Sequence, residues 1–240
     1  NGKATQDQIT QVLVPDVFKE PEFKKWWDST KKLLKKDGHF SVPAKKTEYI
    51  ELRSQAVSRA DELLVAFTSA RQIKDQIAAL DQIIKNAELY TDPSSQFQPL
   101  IHAAEDSARK NSKLNTAGAL QLILACDELV EKAEGAVRSP DSLTVAGMLR
   151  DEERSLPQLL EQIPAAKLKR VIGSLPEAFG ENWVATALTL VTRGTSRIVG
   201  EAARVLQEHG KTPELRAALD RAIRDHSISS PALTGLCDKK

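Results

Sequence analysis

Residues 23–40 read FKKWWDSTKKLLKKDGHF, with two adjacent tryptophans and six lysines in eighteen positions. Phe23, Trp26, Trp27, Thr30, Leu33 and Leu34 recur at i, i+3, i+4, i+7, i+10 and i+11, the spacing of one helical face. At about 100° per residue, Lys24, Lys25, Lys31, Lys32, Lys35 and Lys36 fall on the other side. The stretch therefore predicts an amphipathic helix over 21–36, with Gly38 as a left-handed stop. Before it, TQDQITQVL (5–13) predicts a short helix, and Pro15 and Pro21 prevent the two from fusing. After it, HFSV (39–42) and YIEL (49–52) carry strand-type residues around PAKKTE and predict a small hairpin. Helix, turn, basic helix and hairpin is the order of a winged-helix-like module, placed at 1–52.

Charge singles out the same region. The chain of 240 residues has a formal net charge of +1, so it is no polycation. Yet ten of its twenty lysines lie in residues 1–46, and all fourteen arginines lie at Arg53 or later. Between residues 23 and 46 eight lysines face only Asp28 and Asp37, a local balance of +6. Lysine is a hydrated point charge suited to phosphate. Base edges are read by bidentate Arg, Asn or Gln, which this face lacks. Three readings stay open for Lys24, Lys25, Lys31, Lys32, Lys35, Lys36, Lys45 and Lys46: a solvated face, sequence-independent contact with a DNA or RNA backbone, or contact with an acidic protein. The tryptophans lie in the apolar stripe and predict core anchors rather than ligand contacts.

From Arg53 onward the pattern is helical. Residues 54–70 and 71–90 carry Leu63, Leu64, Phe67, Ile73, Ile77, Leu80, Ile83 and Ile84 at helical intervals, as one long helix or two joined tightly. Asp92-Pro93 breaks the run, and helices follow at 97–111 and 116–135, the second central to a core. Ser139-Pro140 predicts the cap of a helix over 140–151. After Pro157, apolar clusters begin every 15–17 residues, at Leu168, Trp183, Ile198 and Leu215, separated by Gly180, Gly194 and Gly210. Short helices of this kind bury their stripes only by stacking in antiparallel pairs. The expectation is a mainly α chain: long-helix hairpins over 53–154, then a HEAT-like α-solenoid array over 155–240.

Little points to chemistry. Cys126 and Cys237 are 111 residues apart and form neither a metal spacing nor a disulfide framework. His39, His102, His209 and His226 are isolated; His209 stands at a helix end. No HExxH, GxSxG, GxGxxG or GxxxxGK[ST] occurs. Acidic pairs such as Asp61-Glu62 and Asp127-Glu128 point about 100° apart on a helix and predict solvated faces. No catalytic residue, metal or cofactor is assigned, and an enzyme is not expected. No apolar run reaches the roughly 18–20 residues of a membrane span, and no signal peptide is visible, so a cytoplasmic protein is expected. Ser230-Pro231 opens a helix close to Lys240, and Asn1 replaces an initiator Met. Both suggest a piece of a longer protein.

WWDSTKKLLKKDGHFSVPAKKTE (26–48), followed by YIELR, resembles part of the long-form bacterial transcription elongation factors of the GreA/GreB type, in which a large helical extension precedes the Gre portion. The segment from LPQLLEQIPAAKLKRVIGSLP to LRAALDRAIRDH is similar to the helical repeats of that extension. The resemblance covers most of the chain, its detailed motif about thirty residues. It implies an extension that engages the transcription complex, through RNA polymerase or nucleic acid. Gre factors cleave RNA with acidic residues at a coiled-coil tip, and no matching tip or polymerase-docking domain is present, so no catalytic residue carries over. The alternative is a protein-binding helical scaffold with no nucleic-acid contact.

Overall fold

The computed structural model describes residues 2–14, 16–43, 45–52, 59–90 and 92–237, without the side chains of Lys35, Lys36 and Arg59. It is mainly helical, with one small sheet and two separate hydrophobic cores.

The N-terminal core is built by β1 (Lys3–Ala4), α1 (Gln6–Leu13), α2 (Glu20–Lys36), β2 (Phe40–Ser41) and β3 (Ile50–Leu52). Thr5 starts α1 with a capping box. Its hydroxyl accepts from the Gln8 N–H at 3.2 Å, and the Gln8 side chain accepts from the Thr5 N–H at 2.9 Å. A tight turn follows, closed by the Phe18 N–H donating to the Leu13 carbonyl at 2.9 Å. Pro21 lies in the first turn of α2, where a missing N–H costs nothing. Strand order is β1-β3-β2, antiparallel throughout, with Ala4 opposite Ile50 and Ser41 opposite Glu51. The expected hairpin is present. The strand β1 is not legible in the sequence, because two residues are too few to show alternation.

The second core is one continuous cluster running from Ala60 to Ala232. It begins with α3 (Arg59–Ser69) and α4 (Ile73–Lys85), so the long apolar run is two helices broken at 70–72; its predicted start, 54–58, lies outside the described residues. α5 (Pro93–Asn111) starts at Pro93 rather than 97, with the Asp92 carboxylate accepting the Ser95 N–H at 3.2 Å. It pairs with α6 (Thr116–Lys132), the centre of the core, where Leu120, Ile123, Leu124 and Leu129 are all fully buried. Next, the predicted helix over 140–151 shortens to α7 (Val145–Asp151), capped by Thr144. Ser139 does not cap because its hydroxyl is drawn inward, donating to the buried Glu105 carboxylate at 2.6 Å.

Then come α8 (Leu156–Glu161), α9 (Ala165–Gly173), α10 (Leu175–Phe179), α11 (Trp183–Arg193), α12 (Ser196–Glu208), α13 (Thr212–Arg224) and α14 (Ser230–Cys237). α12 packs against α9, α11, α13 and α14, most extensively against α11, and α10 packs against α7 and α11. α14 approaches α12 so closely that a Cβ at Gly235 would come within 2.6 Å of the Ser196 Cα. The N-cap of α14 is Ser229, one residue before the predicted Ser230: its hydroxyl accepts the Ala232 N–H at 3.2 Å. Ile223, at helical spacing from Leu215 in the last apolar cluster, is 53% exposed on α13. Residues 238–240 lie outside the described part.

Candidate nucleic-acid interface

The apolar side of α2 is fixed by aromatic packing. Phe23 and Trp27 are buried and stack at 6.0 Å between ring centroids; Phe18, from the preceding turn, stacks on the half-buried Trp26 at 4.9 Å. Ile50 closes this core from the sheet, with Phe40 and Val42 against it. Both tryptophans are thus core anchors. Leu33, placed on the same face by its spacing, is instead 68% exposed, because it sits at the edge of the stripe.

With one side committed to the core, the other must face water. Lys24, Lys25 and Lys32 are exposed; Lys31, at the border of the stripe, is half-buried. Lys35 and Lys36 belong to the last turn of α2, their side chains outside the described residues. The helix ends where the Asp37 N–H donates to the Leu33 carbonyl at 3.0 Å. His39 then holds the Asp37 carboxyl below its usual range, first through its backbone N–H at 3.0 Å and then through its ring.

Lys45 and Lys46 stand exposed in the turn between β2 and β3, closed by the Glu48 N–H donating to the Lys45 carbonyl at 3.3 Å. The Lys45 ammonium is 3.6 Å from the Glu48 carboxylate, an exposed pair that solvent screens heavily. α2 packs on β2, so helix and hairpin share one rigid module.

Two acidic features interrupt this surface. Asp28 is exposed in the middle of the lysine face, four residues from both Lys24 and Lys32. Glu20 and Glu22 lie in the first turn of α2, after its N-cap Lys19, and Asp7 lies in the first turn of α1. The module is therefore polarised, acidic at the entry to α2 and basic along its body. A recognition helix that reads bases leads with its N-terminal residues. Here those residues are Glu20 and Glu22, which phosphates repel. The surface suits backbone contact along the helix flank and does not suit base reading.

Among the described residues, no group of His, Cys, Asp and Glu is placed to hold a metal ion, and no helix is long and apolar enough to cross a membrane. The acidic pair at Asp127-Glu128 is no solvated face. Asp127 accepts from the Arg138 guanidinium, and Glu128 lies 3.9 Å from Arg170. His209 does sit at the end of α12, where its ring Nδ1 is 2.9 Å from the Val205 carbonyl and its plane meets Trp183 edge-on.

Neither the curated proteins nor the solved structures contain a match to this chain. Residues 1–57 match the family model of the GRAD helix-turn-helix domain, so the polarised module built on α1 and α2 is a helix-turn-helix domain similar to that family.

Proposed function

We propose that the chain is a non-catalytic interaction region of a Gre-type transcription elongation factor, cytoplasmic, in which the N-terminal module meets nucleic-acid backbone and the helical body holds a protein such as RNA polymerase. One observation carries the nucleic-acid half: a segregated lysine face on the second helix of a helix-turn-helix domain, Lys24, Lys25 and Lys32 exposed and Phe23 and Trp27 locked beneath. The hairpin carrying Lys45 and Lys46 after α2, with β1 added to it, supports a winged-helix reading of residues 1–52. The motif at 26–48 supports the Gre assignment. The packing of successive helices α11 on α12 and α12 on α13 supports a HEAT-like array over 155–240, and the α3–α4 and α5–α6 hairpins support the division at 53–154.

Binding of this kind is independent of sequence and falls steeply with salt, because each neutralised phosphate releases counterions. The test is fluorescence anisotropy on a labelled duplex from about 50 to 200 mM salt, together with capture of purified RNA polymerase. Replacing Lys24, Lys25 and Lys32 by Ala should flatten the salt slope by about 3 and leave polymerase capture unchanged. No binding of either partner at low salt overturns the proposal.

Asp28 within the face and Glu20 and Glu22 at its entry favour a second reading, a scaffold that binds protein alone. It expects the lysine variants to behave like the parent in every assay.

A further inference from the structure

Tyr49 directly precedes β3 with its ring in water. The residue is 54% exposed, while its neighbour Ile50 is buried in the module core. The backbone beneath it is pinned on both edges, Ile50 to Ala4 and Glu51 to Lys3 and Ser41. Among the described residues no hydrogen bond or ring contact involves Tyr49. An aromatic ring is thus held out from an ordered strand end, three residues after the exposed Lys46 and four after Lys45.

A tyrosine ring gains by leaving water for another flat face, and every nucleobase offers one. Lysines beside such a ring attract the phosphates that accompany the base. We propose that the β2–β3 connection binds single-stranded nucleic acid, with Tyr49 stacking on an unpaired base and Lys45 and Lys46 meeting the flanking phosphates. The inference rests on the reading that this module contacts nucleic acid, and it sharpens the ligand class. The α2 lysines meet the backbone of either form. A duplex keeps its base faces inside the stack, so only a single strand can use the ring.

The experiment compares the full chain with Tyr49→Ala and Tyr49→Phe. The probes are a labelled oligo-dT, an oligo-U of the same length and a duplex of that length. Thermal melts of both variants check the fold, which an exposed side chain should not disturb. Tyr49→Ala should weaken binding of one or both single strands about five- to hundredfold and duplex binding less than about twofold. Tyr49→Phe, which keeps the stacking face, should bind like the parent. Unchanged single-strand binding by Tyr49→Ala overturns the inference, as does an equal loss on strand and duplex. If the parent binds the duplex in a salt-dependent way while Tyr49→Ala behaves as the parent on both strands, this inference falls and the broader reading stands. If the parent binds none of the three probes at low salt, both fall.

Discussion

Arg138 is held by three acceptors from separate parts of the chain: Glu105 at 2.5 Å, the carboxylate of Asp127, and the Leu143 carbonyl at 2.7 Å. Glu105, only 3% exposed, also takes the Ser139 hydroxyl. Burial pushes its pKa up, but the hydrogen bonds from Ser139 and Arg138 outweigh burial and leave it below the ordinary 4.5. A carboxyl with a lowered folded pKa stabilises fully above its unfolded value, and that stability is lost as pH falls through the folded value. Acid unfolding of the helical body should therefore begin below pH 4.5 for this group. Glu105→Gln should cost about 3 kcal/mol near neutral pH, measured by urea denaturation, since it removes the buried member of the pair and leaves the half-buried Arg138 guanidinium short of a partner. The thiols differ in the same way. Burial raises the Cys126 pKa to about 12, whereas Cys237 is exposed. A thiol-exchange reagent should titrate Cys237 in the native protein and Cys126 only after unfolding.

At the level of the element, α2 shows what helical spacing can and cannot tell. The stripe at Phe23 and Trp27 was legible because 3.6-residue periodicity over about three turns has few alternatives. The position of Leu33 was not, since spacing gives an angle but not the width of the partner surface. Phe23→Ala should cost the module about 3–5 kcal/mol, whereas Leu33→Ser should shift its melting little; a denaturant titration of each variant checks this. The same limit explains α7. Ser-Pro is a good helix start locally, yet the buried Glu105, 34 residues away, claims the Ser139 hydroxyl. The lysines proposed for backbone contact stand out in the sequence because four pairs of them crowd into residues 24–46. Tyr49 does not stand out there, because one aromatic residue beside a strand has no pattern until its neighbour Ile50 is seen to turn inward.

For the whole molecule, the two hydrophobic clusters share no residue. One is small, closed by a sheet of two- and three-residue strands; the other extends from Ala60 to Ala232. Cores of such unequal size seldom share one transition, and the module is expected to open first on heating. The indoles are divided between them. Trp26 and Trp27 belong to the small core, and Trp183 packs against the large one. In a Trp183→Phe chain, every photon of indole emission comes from the module, while the helical body dominates far-ultraviolet circular dichroism. The two signals should then melt at separate temperatures. Nucleic acid that binds only the module should move the emission curve and leave the dichroism curve in place, so the chain carries its own optical label for the half that binds.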